Sequence, residues 1–507
     1  TRSIRSWLKP CAQQRVNRLA CVHRSAPIYG IVIDAGSSRS TLFVYKWPSS
    51  RENNTGIVSQ HSSCRVKGSG ISGYANNPGN AGRSLKTCLE QALHDIPESS
   101  HKQTPLYLGA TAGMRLLTDS KAEENVLTAV ADTMRSYRFD FRGAKVLTGQ
   151  EEGLFGWVTV NYLQENFIKY NWIGQWIKPR KRTVGAMDFG GASTQLTFET
   201  TKSMENPNSL MVLKLYEHEY KVYTHSYLCY GRDQVMKKVM FQMMKKQQFG
   251  PQVMNPCMPT GYQTNRTLGF IYNSPCIKEE RPTNISDSSI VTFIGSSNPT
   301  KCKNYLQEIF DFQSCNFSKC SFNGIYQPRL TGDFMAFSAF YYTINFLKTT
   351  LKKDITTPHE LEEAAKTPTV KIERLVDYCT TSLYIHILTI EGYKFNNETF
   401  KNISFQINWF GESLSYSLCL SIEVFYTDLS TPSAQRDPAC SMPLRPACPT
   451  IGGWTFSLSV PALWNSIPLS LHFALSVAFF KACLKTLLFN CAFGHPPTPT
   501  LPDLHPS

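Results

Sequence analysis

The stretch YGIVIDAGSSRSTLFVYKW, residues 29–47, runs from an apolar segment into a carboxylate, Asp34, then through a small turn into a second apolar segment at Leu42-Phe43-Val44-Tyr45. The same pattern returns in GAMDFGGASTQLTF, residues 185–198, where Asp188 ends the strand. A buried strand that closes on Asp-x-Gly and doubles back gathers backbone N–H groups and small hydroxyls around a concave spot. Glycine there lets the backbone approach a phosphate closely. The aspartate cannot bind phosphate itself and must act through a divalent cation or its hydration water. One such turn reads as an ordinary hairpin. Two of them, on two domains, read as opposing halves of a cleft that grips one polyphosphate–metal complex.

Length bounds the architecture. With 507 residues, 42% of them hydrophobic, the chain exceeds a single core and predicts two or three domains. The formal charge of +14 is spread along the sequence, and its densest cluster, KPRKR at 178–182, reads as a solvated loop. No nucleic-acid partner is therefore expected. Sixteen cysteines without a CxxC pair or zinc-like Cys/His spacing point to an oxidising compartment and disulfides rather than a structural metal. Asn-x-Ser/Thr acceptors at Asn53, Asn265, Asn284, Asn316, Asn397 and Asn402 add to a secretory-pathway reading. Residues 1–28 hold no apolar run like a signal peptide or anchor. LHFALSVAFF, 471–480, is shorter than the ~20 apolar residues that a membrane span needs.

The pattern of elements predicts an α/β chain in four parts. Residues 1–28 form an extension. Residues 29–148 form a first α/β domain, with helices near 82–95 and 120–137. Residues 149–405 form a second, opening on a helix at GQEEGLFGWVTVNYL (149–163). In it, Cys229–Cys320 reads as loop-rich, FMAFSAFYYTINFL (334–347) as a helix, and 378–395 as a buried helix. Residues 406–507 form a divergent tail, rich in Pro, Ser, Thr and Cys at 426–450.

Two further segments carry chemistry. LYLGATAGMRLL, 106–117, is a strand that turns into Arg115, with Thr111 placed to donate to a phosphate oxygen or a metal-bound water. LTGQEEGLFGW, 147–157, brings two glutamates into a helix start. They suit the helix dipole, and beside a polyphosphate one of them suits a general base that activates water. GSGISG, 68–73, fits the dinucleotide pattern GxGxxG but opens no βαβ unit, so it reads as a glycine loop.

Taken in order, DAGSS, GATAGMR, GQEEG and DFGGAST resemble four of the five conserved regions of the ecto-nucleoside triphosphate diphosphohydrolase (apyrase, GDA1/CD39-type) family, over about residues 29–405. The wording around them, VKGSGIS, YTHSYLCYGRDQ and FNGIYQP, is similar to its cell-surface branch. The resemblance implies a two-domain actin/Hsp70-like (ribonuclease H-like) fold with the active site in the interdomain cleft. It implies Ca²⁺- or Mg²⁺-dependent hydrolysis of nucleoside tri- and diphosphates (ATP, ADP, UTP, UDP) to monophosphates. It makes Glu152 the catalytic base. Asp34 and Asp188 would hold the hydrated metal, with Thr111 and Gln195 positioning its waters. Ser37, Ser38 and Arg39 would form one phosphate loop, and Gly191, Ala192 and Ser193 the other. Arg232, Ala339, Tyr342, Arg374 and Tyr378 would sandwich the nucleobase, against a plainer reading of Tyr342 and Tyr378 as core residues. Carried over in the same way are the disulfides Cys64–Cys88, Cys229–Cys276, Cys257–Cys302 and Cys315–Cys320. So are a plasma-membrane location facing outward, membrane association and a homo-oligomer.

The resemblance stops at the fifth region. There the chain reads INWFGESLSYSLCLSIEVFYTDLS instead of the helix that closes the first domain. ALWNSIPLSLHFALSVAFFKACLKTLLFN, 462–490, resembles the end of a retrotransposon reverse-transcriptase frame. A second expectation follows, a nucleotide-binding chain with impaired catalysis. A third, an intracellular chaperone or sugar-kinase relative, fits neither the sequons nor Glu152, because sugar kinases deliver phosphate to a sugar hydroxyl.

Overall fold

The computed structural model describes residues 27–47, 58–167, 169–170, 176–179, 181–216, 218–277, 286–367 and 376–406. The apolar runs named above form two separate sheets. The first is built from β1 (Ile28–Ala35), β2 (Ser40–Trp47), β3 (Ser59–Arg65), β4 (Pro105–Ala110) and β5 (Asp140–Val146), in the order β3-β2-β1-β4-β5. β1 pairs antiparallel with β2 and parallel with β4. Both faces of β1 are covered. Ile31 and Ile33 pack with helices α1 (Pro78–Asp95) and α2 (Ser120–Arg135), and Val32 packs on the opposite face with Phe43, Tyr45 and Leu147. This is why the strand reads as a continuous apolar run rather than an alternating one.

The second sheet repeats the plan. It contains β6 (Gly185–Phe189), β7 (Ser193–Glu199), β8 (Leu210–Leu215), β9 (His218–Leu228), β10 (Phe334–Ser338) and β11 (Ile403–Phe405), in the order β8-β9-β7-β6-β10-β11. β6 is antiparallel to β7 and parallel to β10, as β1 is to β2 and β4. The helix α3 (Gly149–Leu163) serves both sheets. Its Phe155, Val158 and Tyr162 pack on the first, while Leu154, Trp157 and Val160 pack on the second. A helix with two buried faces shows little amphipathic contrast, and that is how this segment reads.

Some expectations change. Residues 334–347 are not one helix: the chain is a buried parallel strand as far as Ser338 and only then the helix α4 (Ala339–Leu351). A short buried apolar run has no periodicity that separates strand from helix. Cys229–Cys320 holds more regular structure than a loop-rich segment, with helices at Arg232–Lys246 and Pro299–Gln307 and a three-stranded sheet. The helix expected over 378–395 is α-helical across Tyr378–Ile387 and finishes as a π turn, Leu388–Gly392.

Disulfides join Cys64 to Cys88, Cys229 to Cys276, Cys257 to Cys302 and Cys315 to Cys320. Among the described residues Cys379 is a thiol, and burial pushes it up to about 11. The sequon residues Asn265, Asn316, Asn397 and Asn402 are all exposed; Asn53 and Asn284 lie outside the described residues. No helix among the described residues is long and apolar enough to cross a membrane.

Candidate active site

The two Asp-Gly turns occupy equivalent places in their sheets. Asp34 stands opposite Thr41 in the β1–β2 hairpin, and Asp188 stands opposite Gln195 in β6–β7. Both turns line one cavity of about 580 Å³, with Asp34, Gly36, Ser37, Ser38 and Arg39 from one hairpin and Asp188, Gly191, Ala192 and Ser193 from the other. The approach is close. A Cβ on Gly191 would stand 2.7 Å from the Ser37 hydroxyl oxygen and 2.8 Å from an Asp233 carboxylate oxygen, so any side chain there would have to turn one or both of these groups aside. The GSGISG segment has a structural task beneath this site. A Cβ on Gly70 would lie 2.6 Å from the Gly36 carbonyl oxygen, so the segment packs closely under the first turn.

The strand beside each hairpin ends at the cavity in a matching way. β4 leads through Thr111 into a one-turn helix, and β10 leads through Ser338 into α4; both residues line the cavity. Ser338 is a non-glycine residue at φ 57°. Strain of that kind persists where the surroundings impose it, commonly at functional sites. Nothing in the sequence at Ser338 marks it, and only the parallel with Thr111 exposes it.

The two glutamates of GQEEG part company. Glu151 completes a capping box, accepting from the Thr148 N–H at 2.9 Å, while Lys145 reaches its other oxygen at 2.8 Å. Burial works to raise the Glu151 carboxyl, but the Lys145 and Thr148 hydrogen bonds outweigh it and hold it below the usual range. Glu152 points the other way, into the cavity, and is 9% exposed. Its Oε2 accepts from Arg115 at 2.6 Å, from Gln195 at 3.0 Å and from Ser193 at 3.4 Å. No protein group among the described residues donates to Oε1, which leaves that oxygen for a water.

Gln195 stands just behind the cavity wall. Its Nε2 is within hydrogen-bonding reach of Glu152, Ser193 and Ser226, and its buried Oε1 has no partner. An orphaned buried acceptor of this kind suits a bound water. Among the described residues no group of three or more His, Cys, Asp or Glu is arranged to hold a metal directly. Two aspartates across a cleft with acceptors for water fit a hard cation that keeps most of its hydration shell.

The far end of the cavity is lined by Arg232, Ala339, Tyr342 and Tyr378; Arg374 lies outside the described residues. Tyr342 is 51% exposed, so it is no core residue. Tyr378 is half-buried against Phe346, ring centroids 4.0 Å apart. Arg232 is bracketed by Asp233 at 3.2 Å and Asp377 at 3.1 Å. Burial raises the Asp233 carboxyl, with Arg232 and Lys237 opposing it. Asp233, Asp377, Thr343 and Thr381 also line the cavity. Sequence reasoning passed over all four, since none belongs to a glycine-rich turn.

Duplicated sheets, facing Asp-Gly turns and a buried glutamate between them define an actin-like α/β phosphatase fold. The chain belongs to the GDA1/CD39 (nucleoside phosphatase) family, whose model matches residues 22–428, beyond both ends of the stretch read from the motifs. It is 50% identical over 392 residues to ectonucleoside triphosphate diphosphohydrolase 2 of Gallus gallus, covering 75% of this chain and 79% of that one. Identity to the same enzyme of Rattus norvegicus is 52% over 393 residues, 75% of this chain and 78% of that one. Ectonucleoside triphosphate diphosphohydrolase 8 of Gallus gallus is 43% identical over 389 residues, covering 74% and 78%. Among solved structures, a nucleoside triphosphate hydrolase from Neospora caninum superposes with a TM-score of 0.55 at 16% identity. It covers 78% of this chain and 91% of that one, a likeness of fold.

Proposed function

We propose that this chain hydrolyses the terminal phosphoanhydride of nucleoside tri- and diphosphates outside the cell, stopping at the monophosphate, with Ca²⁺ or Mg²⁺. The observation that carries this reading is Glu152. A buried carboxylate has one oxygen fixed by Arg115, Gln195 and Ser193 and the other turned to a cavity between two phosphate-type turns.

Glu152 Oε1 takes a proton from a water aligned behind the terminal phosphorus. Ser193 and Gln195 hold the carboxylate at the angle this transfer requires. The backbone N–H groups of the two turns, the hydroxyls of Ser37, Ser38 and Thr111, and Arg39 surround the transferring phosphoryl oxygens, where charge spreads in the transition state. Asp34 and Asp188 would hold the hydrated cation, which when bound would offset phosphate charge. No covalent enzyme intermediate is needed. The two turns, one from each of the two α/β domains, grip whichever phosphates stand at the end of the chain, so tri- and diphosphates both serve. Tyr342, Tyr378 and the Arg232 guanidinium offer flat faces to a base. Stacking tolerates any base, hence a broad nucleotide range that includes ATP, ADP, UTP and UDP. The disulfides and the exposed sequons among the described residues support an extracellular setting. The relatives' names place them outside the cell, which supports an outward-facing location here.

The test is phosphate release from ATP, ADP and AMP with Ca²⁺ or Mg²⁺, beside Glu152→Gln. The expected result is release from ATP and ADP but not AMP, falling by about 10²–10⁴ in the variant. Folded protein that releases no more phosphate than Glu152→Gln overturns the reading and leaves a nucleotide-binding chain without catalysis.

A further inference from the structure

A second cavity, of about 260 Å³, opens at the opposite end of the β6–β7 hairpin from the phosphate turn. The residues before β6 and after β7 line it, together with parts of the chain near 166, 220 and 329. Five cations surround it: Lys178, Lys181, Arg182, Lys202 and Arg329. One carboxylate faces them, Glu199, and it already accepts from the Thr183 hydroxyl. Among the described residues none of the five cations forms an ion pair, although Lys178 stands 5.8 Å from the centre of the Tyr220 ring. Three of the five come from the KPRKR run, which the sequence alone reads as a solvated loop.

Charge on a rim would by itself mean little. The wall of this cavity also contains two buried polar atoms without partners, the Tyr220 hydroxyl and the Asn166 Oδ1, in residues 4% and 2% exposed. A buried, unpaired polar group is destabilising unless something pairs with it. The two make opposite demands. The Tyr220 hydroxyl can donate to an anion's oxygen, whereas Asn166 Oδ1 needs a donor. A phosphate that keeps one P–OH satisfies both, and its charge matches the cationic rim. Sulfate, which has no proton to give at neutral pH, satisfies only the first.

We propose that this cavity is a second binding site for a protonated phosphate group, either free hydrogenphosphate or the terminal phosphomonoester of a lipid headgroup. The site is separate from the catalytic cleft and uses none of its residues. Lys202 and Arg329, both exposed, supply charge attraction, and the Tyr220 hydroxyl supplies selectivity by direction.

The test measures thermal unfolding of the full chain in phosphate, sulfate and chloride at matched ionic strength, for wild type, Tyr220→Phe and Lys202→Glu/Arg329→Glu. Phosphate also enters the cleft, so the informative quantity is the extra stabilisation by phosphate over sulfate that the variants lose. The expected result is a clear increment in wild type that is mostly absent in both variants. In chloride, Tyr220→Phe should unfold no earlier than wild type, since it deletes a hydroxyl that has no partner. The charge-reversed pair sits on the surface and keeps the test decisive if the buried variant misfolds. Sedimentation with phosphatidylcholine vesicles containing phosphatidic acid, against vesicles containing phosphatidylglycerol, separates the sources. Preference for phosphatidic acid, lost in the variants, assigns the site to a lipid phosphomonoester; its absence beside an intact phosphate increment assigns it to free phosphate. Equal increments in all three proteins, with no preference for phosphatidic acid, would overturn the proposal.

Discussion

Arg115 is the residue whose role is least expected from its motif. In GATAGMR it reads as the end of a turn, yet its guanidinium bridges two elements, donating to Glu152 at 2.6 Å and to the Leu147 carbonyl at 2.9 Å. It is largely buried, so solvent does little to screen the pair. If Glu152 is the base as proposed, Arg115 is a positioning residue, holding one carboxylate oxygen and so aiming the other. Charge-assisted hydrogen bonds of this type are worth about 1.5–3 kcal/mol. Arg115→Met should therefore lower kcat by about 10- to 100-fold while leaving KM for ATP within a few-fold. Arg115→Lys should recover part of the loss, because a lysine restores the charge but not the fork to the Leu147 carbonyl. Steady-state kinetics with unfolding curves for each variant check this. A loss confined to KM, or one matched by a fall in stability, would make Arg115 a merely structural residue.

At the level of elements, helix packing in the second half of the chain depends on one carboxylate. Glu362, on the helix Pro358–Lys366, meets Lys303 at 3.0 Å, Lys366 at 3.1 Å and His386 at 3.3 Å, joining three helices. Burial alone would raise the Glu362 carboxyl, but the hydrogen bonds from Lys303 and Lys366 outweigh it and lower it to about 2. Because the folded value lies below the unfolded one, near 4.3, the ionised form stabilises the fold at higher pH. That contribution is complete above about pH 4.3 and disappears as pH falls through about 2. Glu362→Gln should cost about 1 kcal/mol at neutral pH, solvent screening keeping the figure modest. The gap between variant and wild type should close on acidification, as read by urea unfolding at a series of pH values. Of these partners only Lys366, one turn on in the same helix, was within local reach of the sequence; Lys303 and His386 lie far from Glu362 along the chain. The Asp-Gly hairpins were legible because all their determinants sit within about fifteen residues. The strand ending at Ser338 was not, because burial on both faces erases the alternation that would announce it.

For the molecule as a whole, the question is whether the two sheets work as one clamp. Their matched topology puts Ser37 and Gly191 at corresponding turns, and a Cβ on Gly191 would come within 2.7 Å of the Ser37 oxygen as it stands. The repeated turn in the sequence hints at this symmetry, but the parallel pairings that complete it, β1 with β4 and β6 with β10, join strands too far apart in the chain to be read locally. If the clamp acts as drawn, Gly191→Ala forces Ser37 to turn aside or the turns to separate. Activity should fall by at least tenfold, while the melting temperature changes little because each sheet keeps its own core. Ser37→Ala removes the hydroxyl that the new methyl would strike. On the Gly191→Ala background it should therefore cost much less than in wild type, or restore some activity. A double-mutant cycle on kcat/KM measures this coupling, with an expected interaction of about 1 kcal/mol. Strict additivity would mean that the two turns do not approach each other in the working enzyme, and that each grips the phosphates alone.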